Sequence, residues 1–255
     1  MSDLPSHSLF DCHFHIIDPR FPLLPNQGYI PLTFTTRDYL QRMKDYDLRG
    51  GAVVSGSFQA FDQSYLVQTL KDLGSGFVGV TQLPAETEDD EILALNQAGV
   101  RAVRFNLKRG GSAGIKDLDT FARRVHDLAG WHAELYVDSI ELADLAPTLS
   151  RLPTVSIDHL GLSKTGLHDL YALVEKGGFV KATGFGRVDF DVATVIRQIT
   201  SINPDALMFG TDLPSTRAPV PYADQDSLLV TEILDEHLAG KVLCDNARAF
   251  YRIED

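Results

Sequence analysis

Cysteine is nearly missing from this 255-residue chain: only Cys12 and Cys244 occur, far apart and in no CxxC pattern. That excludes a disulfide framework and a cysteine zinc site, and it points to a reducing compartment. Basic residues are short as well, 23 against 35 acidic, for a formal net charge of -12. A general nucleic-acid or anionic-membrane binder is excluded, because attraction to phosphate needs a positive surface. No apolar run approaches the length of a spanning helix, and the first seven residues lack the basic start and apolar stretch of a signal peptide. The expectation is a cytoplasmic protein with no membrane partner, which must meet any anionic ligand with a local basic cluster. Nor does G-x-G-x-x-G follow the first apolar run, as it would in a dinucleotide-binding doubly wound sheet.

What the chain does have is regular alternation. Apolar runs centre on residues 9–17, 51–57, 77–83, 100–107, 133–137, 154–159, 179–183 and 206–211. Amphipathic, helix-length segments lie between them at 36–46, 62–73, 89–98, 117–129, 139–149, 167–176, 188–200 and 224–237, with a last helix at 239–251. Eight such repeats predict an α/β fold of the (β/α)8 TIM-barrel type, with residues 1–255 forming one domain. Barrel chemistry sits at the carboxyl ends of the strands and on the loops after them. The first such loop, 19–35, is long, rich in proline and aromatics, and carries Arg20 and Tyr29.

Strand ends supply the candidate residues. Asp11-Cys12-His13-Phe14-His15 closes the first run, and period-two alternation puts Asp11, His13 and His15 on one face, opposite Cys12 and Phe14. Paired imidazoles can bind a metal, polarise a carbonyl or handle a proton. On the fourth run Arg104 and Asn106 share a face, and Arg104 either meets an anion, with Lys108 and Arg109 following on the rim, or forms a buried ion pair with Glu134 or Asp138. Tyr136 points inward on the fifth, to reach a ligand or complete a polar network. His159, after Asp158, is expected to face the mouth. Asp212, ending the eighth, reads as a metal ligand, a general base or a turn cap. Arg187, after Lys181 and the seventh run, is a second anion clamp or a solvated loop residue. Ser57 and Gln59 can offer hydrogen bonds from the second strand end, whereas His7, His126, His132, His168 and His237 read as surface residues.

With D-x-H-x-H at 11–15, V-R-F-N at 103–106, D-H-L-G at 158–161 and G-T-D-x-P at 210–214, the whole chain resembles the amidohydrolase superfamily. Its order and spacing are most similar to the branch of 2-pyrone-4,6-dicarboxylate lactonases and related sugar lactonases. Most members hold one or two divalent metals. Here Arg104 and Tyr136 stand where further ligands would be expected, so the resemblance implies no binuclear centre and no required cofactor, or at most a single Zn²⁺ held by His13, His15, His159 and Asp212. It implies a small anionic lactone as substrate, with His13, His15 and His159 polarising its carbonyl and Asp212 accepting a proton from the attacking water. Arg104, Tyr136 and Arg187 would grip carboxylate, with Arg109, Tyr29 and Ser57 as approximate matches. A mononuclear metal-dependent hydrolase or decarboxylase and a non-catalytic anion-binding barrel are the alternatives, and a homo-oligomer is compatible with all three.

Overall fold

The computed structural model describes residues 7–253, and within them eight parallel strands alternate with helices. The strands are β1 Leu9–Phe14, β2 Leu48–Val54, β3 Phe77–Thr81, β4 Val100–Asn106, β5 His132–Tyr136, β6 Val155–Ile157, β7 Phe179–Ala182 and β8 Leu207–Phe209. The helices after them are α1 Thr36–Met43, α2 Ser64–Leu73, α3 Asp89–Gln97, α4 Leu118–Ala129, α5 Leu142–Leu149, α6 Leu167–Glu175, α7 Val192–Ile202 and α8 Asp224–Ile233. Each strand pairs with the next in sequence, from β1 to β8. The wall is then completed beyond the strand ends, where the Asp212 amide donates to the His13 carbonyl and the His15 amide to the Leu213 carbonyl, both at 2.7 Å. Gly210 makes that seam close: a Cβ there would lie 2.7 Å from the His13 nitrogen. The expected (β/α)8 barrel is what forms.

Caps explain where several helices depart from their expected limits. Asp191 accepts from the Thr194 amide at 2.9 Å and starts α7 four residues later than the periodicity suggests. Asp235 caps a separate helix α9, Glu236–Gly240, so the segment 224–237 is not continuous. The last helix is also divided, with α9 running through a π turn at Lys241–Asp245 into α10, Asn246–Phe250. This closing segment plugs the amino-terminal end of the barrel, bringing Cys244, Ala247 and Tyr251 against the interior residues Phe10, Cys12, Ala52 and Met208. A second, larger apolar layer, including Val53, Val103, Phe105 and Ile196, lies between strands and helices. Both cysteines are buried and free. Among the described residues no helix is long and apolar enough to cross a membrane.

The face expected for Asp11 is wrong, and a bulge is the reason. β1 gains one residue on β2 between the pairs Asp11↔Gly51 and Phe14↔Val53. Cys12 therefore sits with the interior cluster, Phe14 stacks outside on Tyr39 at 3.8 Å between ring centres, and Asp11 faces outward with it. Its carboxylate accepts from the Tyr39 hydroxyl (3.2 Å), the Thr211 amide (2.8 Å) and the Thr211 hydroxyl (2.6 Å). Asp11 thus clasps the β1–β8 seam from behind, while His13 and His15 are aimed at the mouth.

Candidate active site

The centre is built from three strand ends. The His15 Nδ1 lies 2.7 Å from the Val54 carbonyl, which can only accept, so Nδ1 carries the proton and Nε2 faces Asp212 Oδ1 at 3.6 Å. His13 Nε2 is 3.9 Å from the same oxygen, and its Nδ1 is 3.5 Å from Asp158 Oδ1. His159 reaches the centre through a left-handed turn, φ 52°, which carries its ring to 4.9 Å from those of both His13 and Tyr136. Gly184 leaves room for it, since a Cβ there would be 2.8 Å from His159 Nδ1. His13, His159 and Asp212 are almost wholly buried, and His13 Nε2, His159 Nδ1 and Asp212 Oδ1 lack a hydrogen-bond partner. Unpaired buried polar atoms are costly, so their convergence marks a place where water, substrate or an ion is expected.

Electrostatics fixes the protonation states. Burial pushes the His13 imidazolium down to about 4, against the pull of the Asp158 carboxylate. Burial likewise holds His159 well below the ordinary histidine range, although Asp212 pulls the other way. Both rings are neutral at pH 7. Burial alone would raise Asp212, but its surroundings, the Arg187 cation first among them, outweigh it and hold the carboxyl below its usual range. Arg187 donates Nε to Asp212 Oδ2 at 2.8 Å and Nη2 to the Thr216 carbonyl at 2.7 Å.

Arg104 is in a buried ion pair, but not with the expected partners. It donates Nε and Nη2 to Asp158 Oδ2 at 3.0 and 2.8 Å, and Nη1 to the Ser55 carbonyl at 3.0 Å. Glu134 is taken by Lys181 (2.5 Å), and Asp138 by Lys108 (2.9 Å), which turns Lys108 away from the mouth. Alternate strands of such a barrel contribute to a common interior layer, so inward residues of β4 and β6, or of β5 and β7, meet across it. Lys181, Glu134, His132 and Tyr251 form such a layer below the site, with Tyr251 Oη 2.5 Å and His132 Nε2 3.0 Å from Glu134. His132 is thus a buried interior residue rather than a surface one.

The remaining expected residues mostly do converge. Tyr136, Arg104 and Arg187 line the cavity at the mouth with His15, His159 and Asp212, and so do Tyr29, Ser57 and Arg109 on its outer rim. Gln59 does not: its amide is spent on the Ile16 carbonyl (2.7 Å) and the Gly56 amide (2.6 Å). Arg20 instead pairs with Asp18. Arg217, from the loop after β8, also lines the cavity and was not foreseen; its only sequence signal is its place five residues beyond Asp212. About 40 Å³ is open at the centre, room for about three waters and too little for a carboxylated ring unless the rim moves.

A (β/α)8 barrel whose strand ends bring neutral imidazoles and an ionised carboxylate to one buried point is built like the sites of hydrolytic enzymes, and the chain's relatives give the class. The amidohydrolase family model matches residues 10–253, and the chain belongs to that family. It is similar to the 2-pyrone-4,6-dicarboxylate hydrolase of Comamonas testosteroni, at 29% identity over 96% of this chain and 90% of the relative. It is also similar to the 4-sulfomuconolactone hydrolase of Hydrogenophaga intermedia, at 25% identity over 93% of this chain and 86% of that one. A solved structure from Agrobacterium tumefaciens shares the fold at a TM-score of 0.85 and 20% identity, covering 99% of this chain and 98% of that one.

Proposed function

We propose that this hydrolase opens the ester ring of a small carboxylated lactone, with Asp212 activating the attacking water. The observation that carries this reading is the buried, ionised Asp212, whose free Oδ1 faces His13 and His15 at a mouth lined by arginines. Both relatives are named as hydrolases of lactone-type rings. Water held between Asp212 Oδ1 and His15 Nε2 gives its proton to the carboxylate as its oxygen bonds to the ring carbonyl carbon. His159, whose tautomer no partner pins, carries its proton on Nε2 and donates a hydrogen bond from it to the carbonyl oxygen as negative charge develops there, keeping the proton throughout. His13 lines the other side of that oxygen. When the tetrahedral intermediate collapses, the ring C–O bond breaks and the proton on Asp212 passes to the departing oxygen. The test is a lactone panel, pyrone dicarboxylates and aldonolactones included, assayed on protein of known metal content. Hydrolysis of no lactone would refute the reading.

The protonation states predict an unusual acid limb. Asp212 is ionised well into acid, so the group lost first is His13: neutral above about 4, it gains a charge below that value. We expect kcat/KM to be flat from neutrality to about pH 5 and to halve near pH 4. A limb between pH 6 and 7 in the pH-rate profile would mean that an ordinary histidine controls the step.

A metal-dependent reading has one observation in its favour. Ligand atoms of His13, His159 and Asp212 lie within 4.8 Å of one another, with His15 outside that group. These three residues would hold a single divalent ion, which when bound would polarise the carbonyl and acidify a water. The charge balance favours the metal-free reading, because Arg104 and Arg187 already neutralise Asp158 and Asp212. Activity is expected to stay within about twofold after chelator treatment. Stoichiometric metal with chelator-sensitive activity would establish the other reading.

A further inference from the structure

The loop after β1 folds back over the mouth. Its tip, Asn26 to Tyr29, is a tight turn with reciprocal backbone bonds of 3.0 Å, in which Gln27 and Gly28 both take left-handed φ, 51° and 75°. The tip is fastened from two sides. Arg217 donates Nη1 to Asn26 Oδ1 at 3.2 Å and Nη2 to the Asn26 carbonyl, and its guanidinium carbon lies 4.5 Å from the centre of the Tyr29 ring. Opposite, Asn26 Nδ2 donates to the Arg109 carbonyl at 3.1 Å, tying the tip to the loop after β4.

None of these contacts carries a negative charge. Of the four arginines lining the cavity, Arg104 and Arg187 are matched by Asp158 and Asp212, whereas the guanidinium groups of Arg109 and Arg217 have no carboxylate partner among the described residues. Burial and the nearby charge of Arg109 both work against the Arg217 cation. Two half-buried cations facing one small cavity are an arrangement that an anionic group would relieve.

We propose that Arg217 is a specificity-determining latch: it pins the lid tip when the site is closed and, with Arg109, holds a second anionic group of the substrate, remote from the ester placed over Asp212. The open centre is small, and a guanidinium bonded to a neutral amide and a phenol ring gives up those contacts readily for a carboxylate or sulfonate, which frees the lid tip as substrate enters. This extension rests on the lactone-hydrolase reading, but its test uses binding alone.

Isophthalate and benzoate present the same planar ring with two carboxylates or one, and titration calorimetry compares their affinities. Wild type is expected to bind isophthalate roughly 10- to 100-fold more tightly, the range for a charge-assisted pair at a partly buried site. Arg217→Gln should abolish that preference, with the loss falling chiefly on isophthalate. Asn26→Ala, which loosens the lid but keeps both cations, should retain it. The proposal is overturned if wild type shows no preference, if Arg217→Gln leaves it intact or weakens both ligands equally, or if Asn26→Ala removes it. Absence of lactone hydrolysis with the binding preference intact would refute the lactonase reading and leave the latch standing.

Discussion

Asp212→Asn is expected to lower kcat by about 10²- to 10⁴-fold, the range attributable to a positioned general base, with KM changed by no more than a few fold. Asparagine is the informative replacement because residue 212 has a φ of 58°, a left-handed conformation that Asn and Asp tolerate and that strains alanine. Its side-chain carbonyl can still accept from Arg187, so the site keeps its shape and loses only the ability to take a proton. The released charge on Arg187 should hold or improve affinity for a carboxylated lactone, which makes the expected loss one of kcat. Steady-state kinetics on the best lactone, with ligand titration in parallel, separates the outcomes. A variant that keeps more than half the wild-type rate would move the base elsewhere, with His15 Nε2 the next candidate. Equal carboxylate binding by both proteins, with no turnover by either, would instead favour an anion-binding barrel that does no chemistry.

Much of this site was legible because it depends on strand ends, and strand ends are visible as the last polar residues of apolar runs. His13 and His15 lie near the end of the first such run, His159 ends the sixth and Asp212 follows the eighth, and barrel closure brings them together whatever the local detail. What could not be read depended on local irregularity or on pairing across the barrel. One inserted residue in β1 turned Asp11 to the outer face, and no period-two pattern announces a bulge. The sequence leaves Arg104 either meeting an anion or pairing with the next strand, yet its partner Asp158 follows β6, and Lys181 on β7 likewise reaches back to Glu134 on β5. The layer rule for alternate strands predicts both pairings once the barrel is accepted. His132 looked like a surface residue at an element start, but the segment that covers it, around Phe250 and Tyr251, lies more than a hundred residues later. Arg217 was hidden for a different reason: a loop arginine shows its role only when the lid tip it fastens comes into view.

Lys181→Met is expected to destabilise the fold by about 3–5 kcal/mol, the cost of breaking a buried ion pair from one side. Lys181 and Glu134 are both fully buried, 2.5 Å apart. Burial alone would raise the Glu134 carboxyl, but Lys181 and then His132 bring it down to about 2. Burial depresses His132 itself, so Lys181 is the cation on which the carboxylate depends. For a chain of this size each kcal/mol moves Tm by roughly 2–4 °C, so thermal unfolding should fall by about 6–20 °C. The double variant Lys181→Met/Glu134→Gln removes the stranded charge while Gln keeps its bonds to Tyr251 and His132, and it should recover most of that loss. Acid supplies an independent check. A carboxyl depressed from 4.5 to about 2 contributes stability that is present above pH 4.5 and is lost as pH falls towards 2. Wild type should therefore lose stability through that window, and the double variant should lose measurably less. If Lys181→Met melts within about 2 °C of wild type, Glu134 takes up a proton in its absence at little cost, and the interior layer is not held by its charge.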